Sequence, residues 1–177
     1  MKKILLIFSF LLALLPLSAC NELAVENNDT NATVERVIDG DTLKLEMDGE
    51  IIRVRLSDVD TPETVHPNKE KQKFGEEASQ FTKNLLPVGT KVKLEYVDGE
   101  TEDQYGRHLG MLWVDGKMVN ELLVEEGLAR VNYYHAKDSD KYTSRLEKAE
   151  ESAKQAKKNI WSIDGYVTKK GYNTNAY

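Results

Sequence analysis

Three Asp-Gly pairs, at 48–49, 98–99 and 115–116, each close a short run in which apolar and polar residues alternate. Such a pair supplies the positive φ angles of a tight hairpin, so each one ends a strand and turns the chain back. Leu43 and Leu45 alternate with Lys44 and Glu46 before the first pair. After it, Ile52, Val54 and Leu56 share one face while Arg53 and Arg55 share the other. Val92, Leu94 and Tyr96 lead to the second pair, and a run from Leu109 to Val114 leads to the third. With Val34, Val37 and Ile38 opening the series, the pattern predicts five short strands. Helical spacing is confined to three places. Phe74, Ala78, Phe81 and Leu85 predict an amphipathic helix from Lys69 to Leu86, stopped by Pro87. Val119, Leu122 and Leu123 predict a short helix ended by Gly127. Tyr142, Leu146, Ala149, Ala153 and Ala156 predict a long one, capped by an apolar contact from Trp161. Short strands in hairpin succession, with a helix after the third, fit a small closed barrel carrying helices.

At 177 residues the chain is long enough to bury the core of one domain without disulfide staples. Its first residues have the order of an export signal: Lys2 and Lys3, an apolar run from Ile4 to Leu15, then Pro16 and the small residues Ser18 and Ala19. That run is short for a permanent membrane span. The single cysteine, Cys20, follows at the cleavage point, and Leu17-Ser18-Ala19-Cys20 resembles the lipobox of bacterial lipoproteins. The resemblance implies a lipidated Cys20 at the mature N-terminus and a membrane-anchored protein on the extracytoplasmic face.

The expected organisation is a signal peptide at 1–19, a polar tether at 20–32, one domain at 33–163 and a loose tail at 164–177. Removal of the signal takes two lysines and no acid, moving the formal net charge from −6 to −8. A chain this acidic repels polyanions at long range, so contact with nucleic acid would need a local cationic patch or a bound metal.

Acids are crowded in Ser57–Thr64, SDVDTPET, where Asp58, Asp60 and Glu63 surround a Thr-Pro pair. Like charges at that spacing repel unless a turn parts them, water screens them or a cation sits among them. Alone, Asp60-Thr61-Pro62-Glu63 also reads as a helix or turn start, Asp39-Gly40-Asp41 as a turn, and Arg107 as a surface charge beside Gly106. Asp58 alternates away from Asp60 and is expected to be solvated or hydrogen-bonded. The histidines, His66, His108 and His135, lack the spacing of a zinc site.

Taken together and in order, IDGDT at 38–42, RLSDVDTPET at 55–64, DQYGRHLG at 103–110 and DGKMVNELLVEEGLARV at 115–131 resemble the staphylococcal thermonuclease family. GEEASQFTK at 75–83 and AKKNIW at 156–161 extend the match, which runs from about Thr33 to Trp161. The resemblance implies an α+β protein, a five-stranded OB-fold β-barrel with three α-helices. It implies a Ca2+-dependent endonuclease, a phosphodiesterase that hydrolyses DNA and RNA and leaves 3′-phosphate ends. By motif, Asp41, Asp60 and the carbonyl of Thr61 would be calcium ligands, and Glu63 the general base. Arg55 and Arg107 would clamp the scissile phosphate. Tyr105 and Tyr133 would contact substrate; separately from the resemblance, Lys69 with Lys71 and Lys73 could supply a local cationic rim for substrate or else form a solvated helix face. Two positions depart from the best-known member: Gln104 replaces a lysine, and His135 replaces a tyrosine of the nucleotide pocket. A monomer is expected. The contrasting expectation is a non-catalytic OB-fold nucleic-acid-binding lipoprotein, which would have no need of Glu63, Arg55 and Arg107 together.

Overall fold

The computed structural model describes residues 29–64, 71–96, 101–133 and 141–177. Cys20, Lys69, His66, His135 and the Asp98-Gly99 turn lie outside the described residues, as does everything before Asp29.

Alternation becomes strands as anticipated. β1 (Ala32–Val37), β2 (Thr42–Met47), β3 (Glu50–Leu56), β5 (Lys91–Glu95) and β6 (His108–Val114) pair in the order β3-β2-β1-β5-β6, and β6 returns to β3 to close a five-stranded barrel. Every pairing in the ring is antiparallel except β3 with β6, which run parallel with Arg55 opposite Leu109. Short pairs of β4 (Val59–Asp60) with β8 (Arg130–Val131), and of β7 (Lys117–Met118) with β6, extend this frame. Asp48 and Gly49 take φ of 53° and 83°, the left-handed pair that a two-residue hairpin demands. Inward residues Leu43, Leu45, Val54, Leu56, Val92 and Leu112 are fully buried, so the barrel interior is a packed hydrocarbon core rather than a channel.

Three α-helices cover the barrel. α1 (Gly75–Leu85) is shorter than the predicted helix because Phe74 sits at φ 66°, a left-handed conformation from which no α-helix can be continued backwards. α2 (Val119–Glu125) ends at Gly127, whose φ is 62° and whose added Cβ would lie 2.6 Å from the Lys158 carbonyl. α3 (Thr143–Gln155) buries Leu146, Ala149 and Ala153 against α2. Lys154 Nζ stands 4.6 Å from the Trp161 ring centroid, while neighbouring Ile160 supplies the fully buried apolar contact after the helix. Among the described residues no helix is long and apolar enough to cross a membrane.

Both ends of the domain differ from expectation. Residues 29–31 are attached rather than free: Asn31 exchanges two side-chain hydrogen bonds with the backbone of Leu94, and Lys93 pairs with Asp29. The C-terminal residues are not a loose tail. β9 (Val167–Thr168) and β10 (Gly171–Tyr172) form a small hairpin, and Tyr166 before it is fully buried. Its ring meets Phe74, Tyr172 and Tyr177 with centroids 6.1, 5.2 and 5.5 Å away. Its hydroxyl donates to the Lys73 carbonyl at 2.6 Å. Aromatic packing of this kind contributes beyond its area, and its contacts to Phe74 and Lys73, the latter 93 positions away, are ones no local pattern reveals.

Candidate active site

One end of the barrel gathers the acidic and basic motifs because three strand ends meet there. Asp41 immediately precedes β2, Arg55 lies near the end of β3 opposite Thr42, and Asp60 ends β4. The Leu56 amide donates to the Asp41 carbonyl at 2.9 Å, joining the first two segments. Gly40 makes the approach of the third possible: a Cβ there would lie 2.8 Å from Thr61 Oγ1 and 2.9 Å from the Ala78 side chain. Its carbonyl accepts from the buried Thr82 hydroxyl of α1 at 2.7 Å, which pins the turn.

The two aspartates are tied to one another through Arg55. Arg55 Nη2 lies 3.0 Å from Asp41 Oδ2 and 3.3 Å from Asp60 Oδ1, and its Nη1 donates to the carbonyls of Leu56 and Val59, each at 2.8 Å. A guanidinium stays charged even when buried, so its lost hydration has to be replaced, and here carboxylates and carbonyls replace it. Asp41 Oδ2 also accepts from the amide and hydroxyl of Thr61, and Oδ1 accepts from the Thr42 hydroxyl. Asp60 Oδ2 accepts from Arg130 Nε at 2.9 Å. Even so, burial holds the Asp60 carboxyl above its ordinary pKa, and the charge of Asp41 pushes the same way against the two arginines.

Glu63 follows on the same loop, which Asp39 secures. Asp39 accepts from the Thr64 hydroxyl at 2.6 Å, from the Thr64 amide and from the Gly40 amide. Burial raises its pKa to about 6, Thr64 opposes this, and the Glu63 carboxyl adds to the rise. The Gln72 side-chain oxygen accepts from the Glu63 amide at 2.8 Å.

Arg107 arrives from the turn before β6. Asp103 Oδ1 accepts from the amides of Tyr105 and Arg107, its Oδ2 accepts from Arg107 Nε at 2.7 Å, and Gly106 takes φ 67° to permit the turn. Hydrogen bonds to the ionised form outweigh desolvation and hold Asp103 below the usual carboxylate range. A cleft of about 270 Å3 results, lined by Asp39, Asp41, Asp60, Thr61, Glu63, Arg53, Arg55 and Arg107.

Two sequence-predicted contacts do not line this cleft. Tyr105 is 70% exposed and lies beneath the Arg107 guanidinium, 5.5 Å from ring centroid to Cζ. The Tyr133 hydroxyl donates to Glu147 at 3.2 Å. Of the two expectations for Asp58, the solvated one does not hold: it is buried, at φ 60°, and its carbonyl accepts from the Asn132 amide. Sequence reasoning missed Arg130 and Tyr172. Arg130 stands inside a quoted motif, but only the β4–β8 pairing sets it beside Asp60. The Tyr172 hydroxyl donates to the Asp60 carbonyl across 112 positions of sequence.

The donor set here is hard oxygen, with neither thiolate nor imidazole. Among the described residues no three acidic, histidine or cysteine side chains are grouped to hold a metal. Two crowded carboxylates fit an oxygen-loving divalent cation whose remaining positions are open to a carbonyl, water or a substrate oxygen.

The family described as Staphylococcal nuclease homologue matches residues 53–163. The chain is 45% identical over 143 residues to the SPbeta prophage-derived endonuclease YokF of Bacillus subtilis (strain 168), a match covering 81% of the chain and 48% of that relative. It therefore spans about half that relative's length. Endonuclease YncB of the same organism is 46% identical over 143 residues, covering 81% of the chain and 67% of the relative. The thermonuclease of Staphylococcus hyicus is 47% identical over 135 residues, covering 76% and 78% respectively.

Proposed function

The chain belongs to the staphylococcal nuclease homologue family, and on that premise we propose that it is a Ca2+-dependent endonuclease that hydrolyses DNA and RNA to 3′-phosphate products. One observation carries this reading: Asp41, Asp60, Glu63, Arg55 and Arg107, drawn from separate strands and loops, all face one small cleft. A nucleic-acid reader has no use for that combination, because it puts a proton acceptor beside two guanidinium groups that attract phosphate.

In this mechanism the Asp41 and Asp60 carboxylates and the Thr61 carbonyl would hold the calcium, which would supply positive charge at the phosphate. Glu63 accepts a proton from a water molecule, whose oxygen forms a bond to phosphorus opposite the 5′ oxygen. The phosphorus–5′-oxygen bond breaks, the phosphate stays on the 3′ oxygen, and the departing 5′ oxygen takes a proton from solvent. Arg107 neutralises charge gathering on the phosphate. Arg55 adds its own charge and keeps both aspartates at the spacing that the Asp41–Arg55–Asp60 ion pairs define. Fixed charges aimed at a developing anion are the largest catalytic contribution in many enzymes, with about 3–4 kcal/mol for one well-placed donor as the scale.

Residues 21–177 with single-stranded DNA test the proposal. Hydrolysis is expected in Ca2+ and none in EGTA, with ends that a 3′-phosphatase can remove. Glu63→Gln should lower kcat by about 10²–10⁴, the usual span of general-base catalysis, while oligonucleotide binding persists. Near-normal turnover by that variant would exclude Glu63 as the base. We further propose that Cys20 carries lipid and anchors the enzyme at the extracytoplasmic face; the support is the sequence of residues 2–20. Palmitate labelling should then disappear in Cys20→Ser, with release of the protein from membranes.

A further inference from the structure

The hairpin at the C-terminus stands against the same loop that carries Asp60, Thr61 and Glu63. Between them lies a second cleft of about 550 Å3, lined on one side by these three residues and Gln72, and on the other by Lys170 and Tyr172. The two clefts share Asp60, Thr61 and Glu63, so a strand held in the first has a continuous path into the second. Resting on the nuclease reading above, we propose that this second cleft is a polynucleotide subsite, in which Lys170 binds a phosphate neighbouring the scissile one.

Charge, rigidity and position support the assignment. The chain carries a formal net charge of −6, so a polyanion must be met by local cations. Residues 164–177 hold Lys169 and Lys170 against one acid, Asp164. The two lysines form the tip of the β9–β10 turn, and among the described residues Lys170 has no carboxylate in ion-pair contact. An ammonium presents a compact charge suited to phosphate without demanding a fixed orientation. The wall that presents it is anchored: Tyr166 is fully buried, the Asn173 amide donates to the Tyr166 carbonyl at 2.8 Å, and Tyr172 donates to the Asp60 carbonyl. A lysine on such a wall has a defined place relative to Asp60 before substrate arrives, which reduces the ordering cost of the contact.

The experiment compares Lys170→Ala with Lys169→Ala, whose side chain does not line the cleft. Two substrates are used, a single-stranded twelve-nucleotide DNA and a nitrophenyl ester of one nucleotide. Lys170→Ala should raise the ratio of KM for the oligonucleotide to KM for the ester by roughly threefold to tenfold, with a much smaller change for Lys169→Ala. Loss of one phosphate contact should also flatten the salt dependence of oligonucleotide affinity, reducing the slope of log K against log salt by about 0.7. Binding of the labelled oligonucleotide, measured by anisotropy in EDTA where no turnover occurs, separates the two readings. Weakened binding by Lys170→Ala with no hydrolysis by the wild type would sink the nuclease reading and leave the subsite standing. An unchanged KM ratio and salt slope in an active enzyme would overturn the subsite alone, as would unchanged EDTA binding in an inactive one.

Discussion

Asp60 is held at three points, with Arg55 on one side-chain oxygen, Arg130 on the other and Tyr172 on its backbone carbonyl. Removing Arg130 leaves the mostly buried Asp60 carboxylate with Arg55 as its one remaining cation in ion-pair contact among the described residues. Arg130→Met should therefore cost about 2–3 kcal/mol in denaturant unfolding, on the scale of a broken buried pair. It should lower calcium affinity as well, read by isothermal titration without substrate. Asp103 plays the corresponding part for Arg107. Its carboxyl lies below the ordinary range in the folded protein, so its contribution to stability is complete above the unfolded aspartate pKa. That contribution is lost as pH falls through the lower, folded value. Asp103→Asn should remove that part of the acid-side loss of stability, measured by melting temperature against pH, and should weaken substrate binding by loosening Arg107.

Elements hold the site through a few buried polar ties. Asn120 on α2 is fully buried; its Oδ1 accepts from the Leu112 amide at 3.0 Å and its Nδ2 donates to the Ser57 carbonyl at 2.8 Å. One side chain thus joins a helix, β6 and the loop that leaves β3 two residues after Arg55. Asn120→Ala strands an amide and a carbonyl in the interior and should cost about 2–4 kcal/mol, since unsatisfied buried groups lose their full solvation. Circular dichroism melts would measure it. Gly127 governs the exit from α2: a side chain there adds left-handed strain of about 1 kcal/mol to the clash with Lys158. Gly127→Ala should destabilise by more than that strain alone.

At the scale of the whole molecule, the domain extends through its last residues. Truncation after Ile163 would uncover Phe74, remove the fully buried Tyr166 and release the Asp60 carbonyl. Loss of that aromatic contact should cost about 2–4 kcal/mol, near the range for emptying a large aromatic site, and lower the melting temperature accordingly. A tail that contributed nothing would leave it unchanged. The tail was not legible locally because its residues are polar, short in alternation and rich in turn formers, and because Tyr166 and Tyr172 find their partners only through the closed barrel. Arg130 was hidden for the same reason, while the shortened α1 was hidden by a single left-handed residue, Phe74, that periodicity does not register.

By itself the sequence determined the five barrel strands, the hairpins at Asp48-Gly49 and Asp115-Gly116, the inward set of Leu43, Leu45, Val54 and Leu56, and the family to which the acid and arginine motifs belong. Those are short-range properties, since side-chain alternation and turn chemistry act over two to eight residues. Tertiary structure alone decided that Arg55 bridges Asp41 and Asp60, that Arg130 and Tyr172 hold Asp60, and that Tyr105 lies outside the cleft. Ion pairs and buried hydroxyls depend on where distant segments meet, and that is fixed only when the barrel closes between β3 and β6.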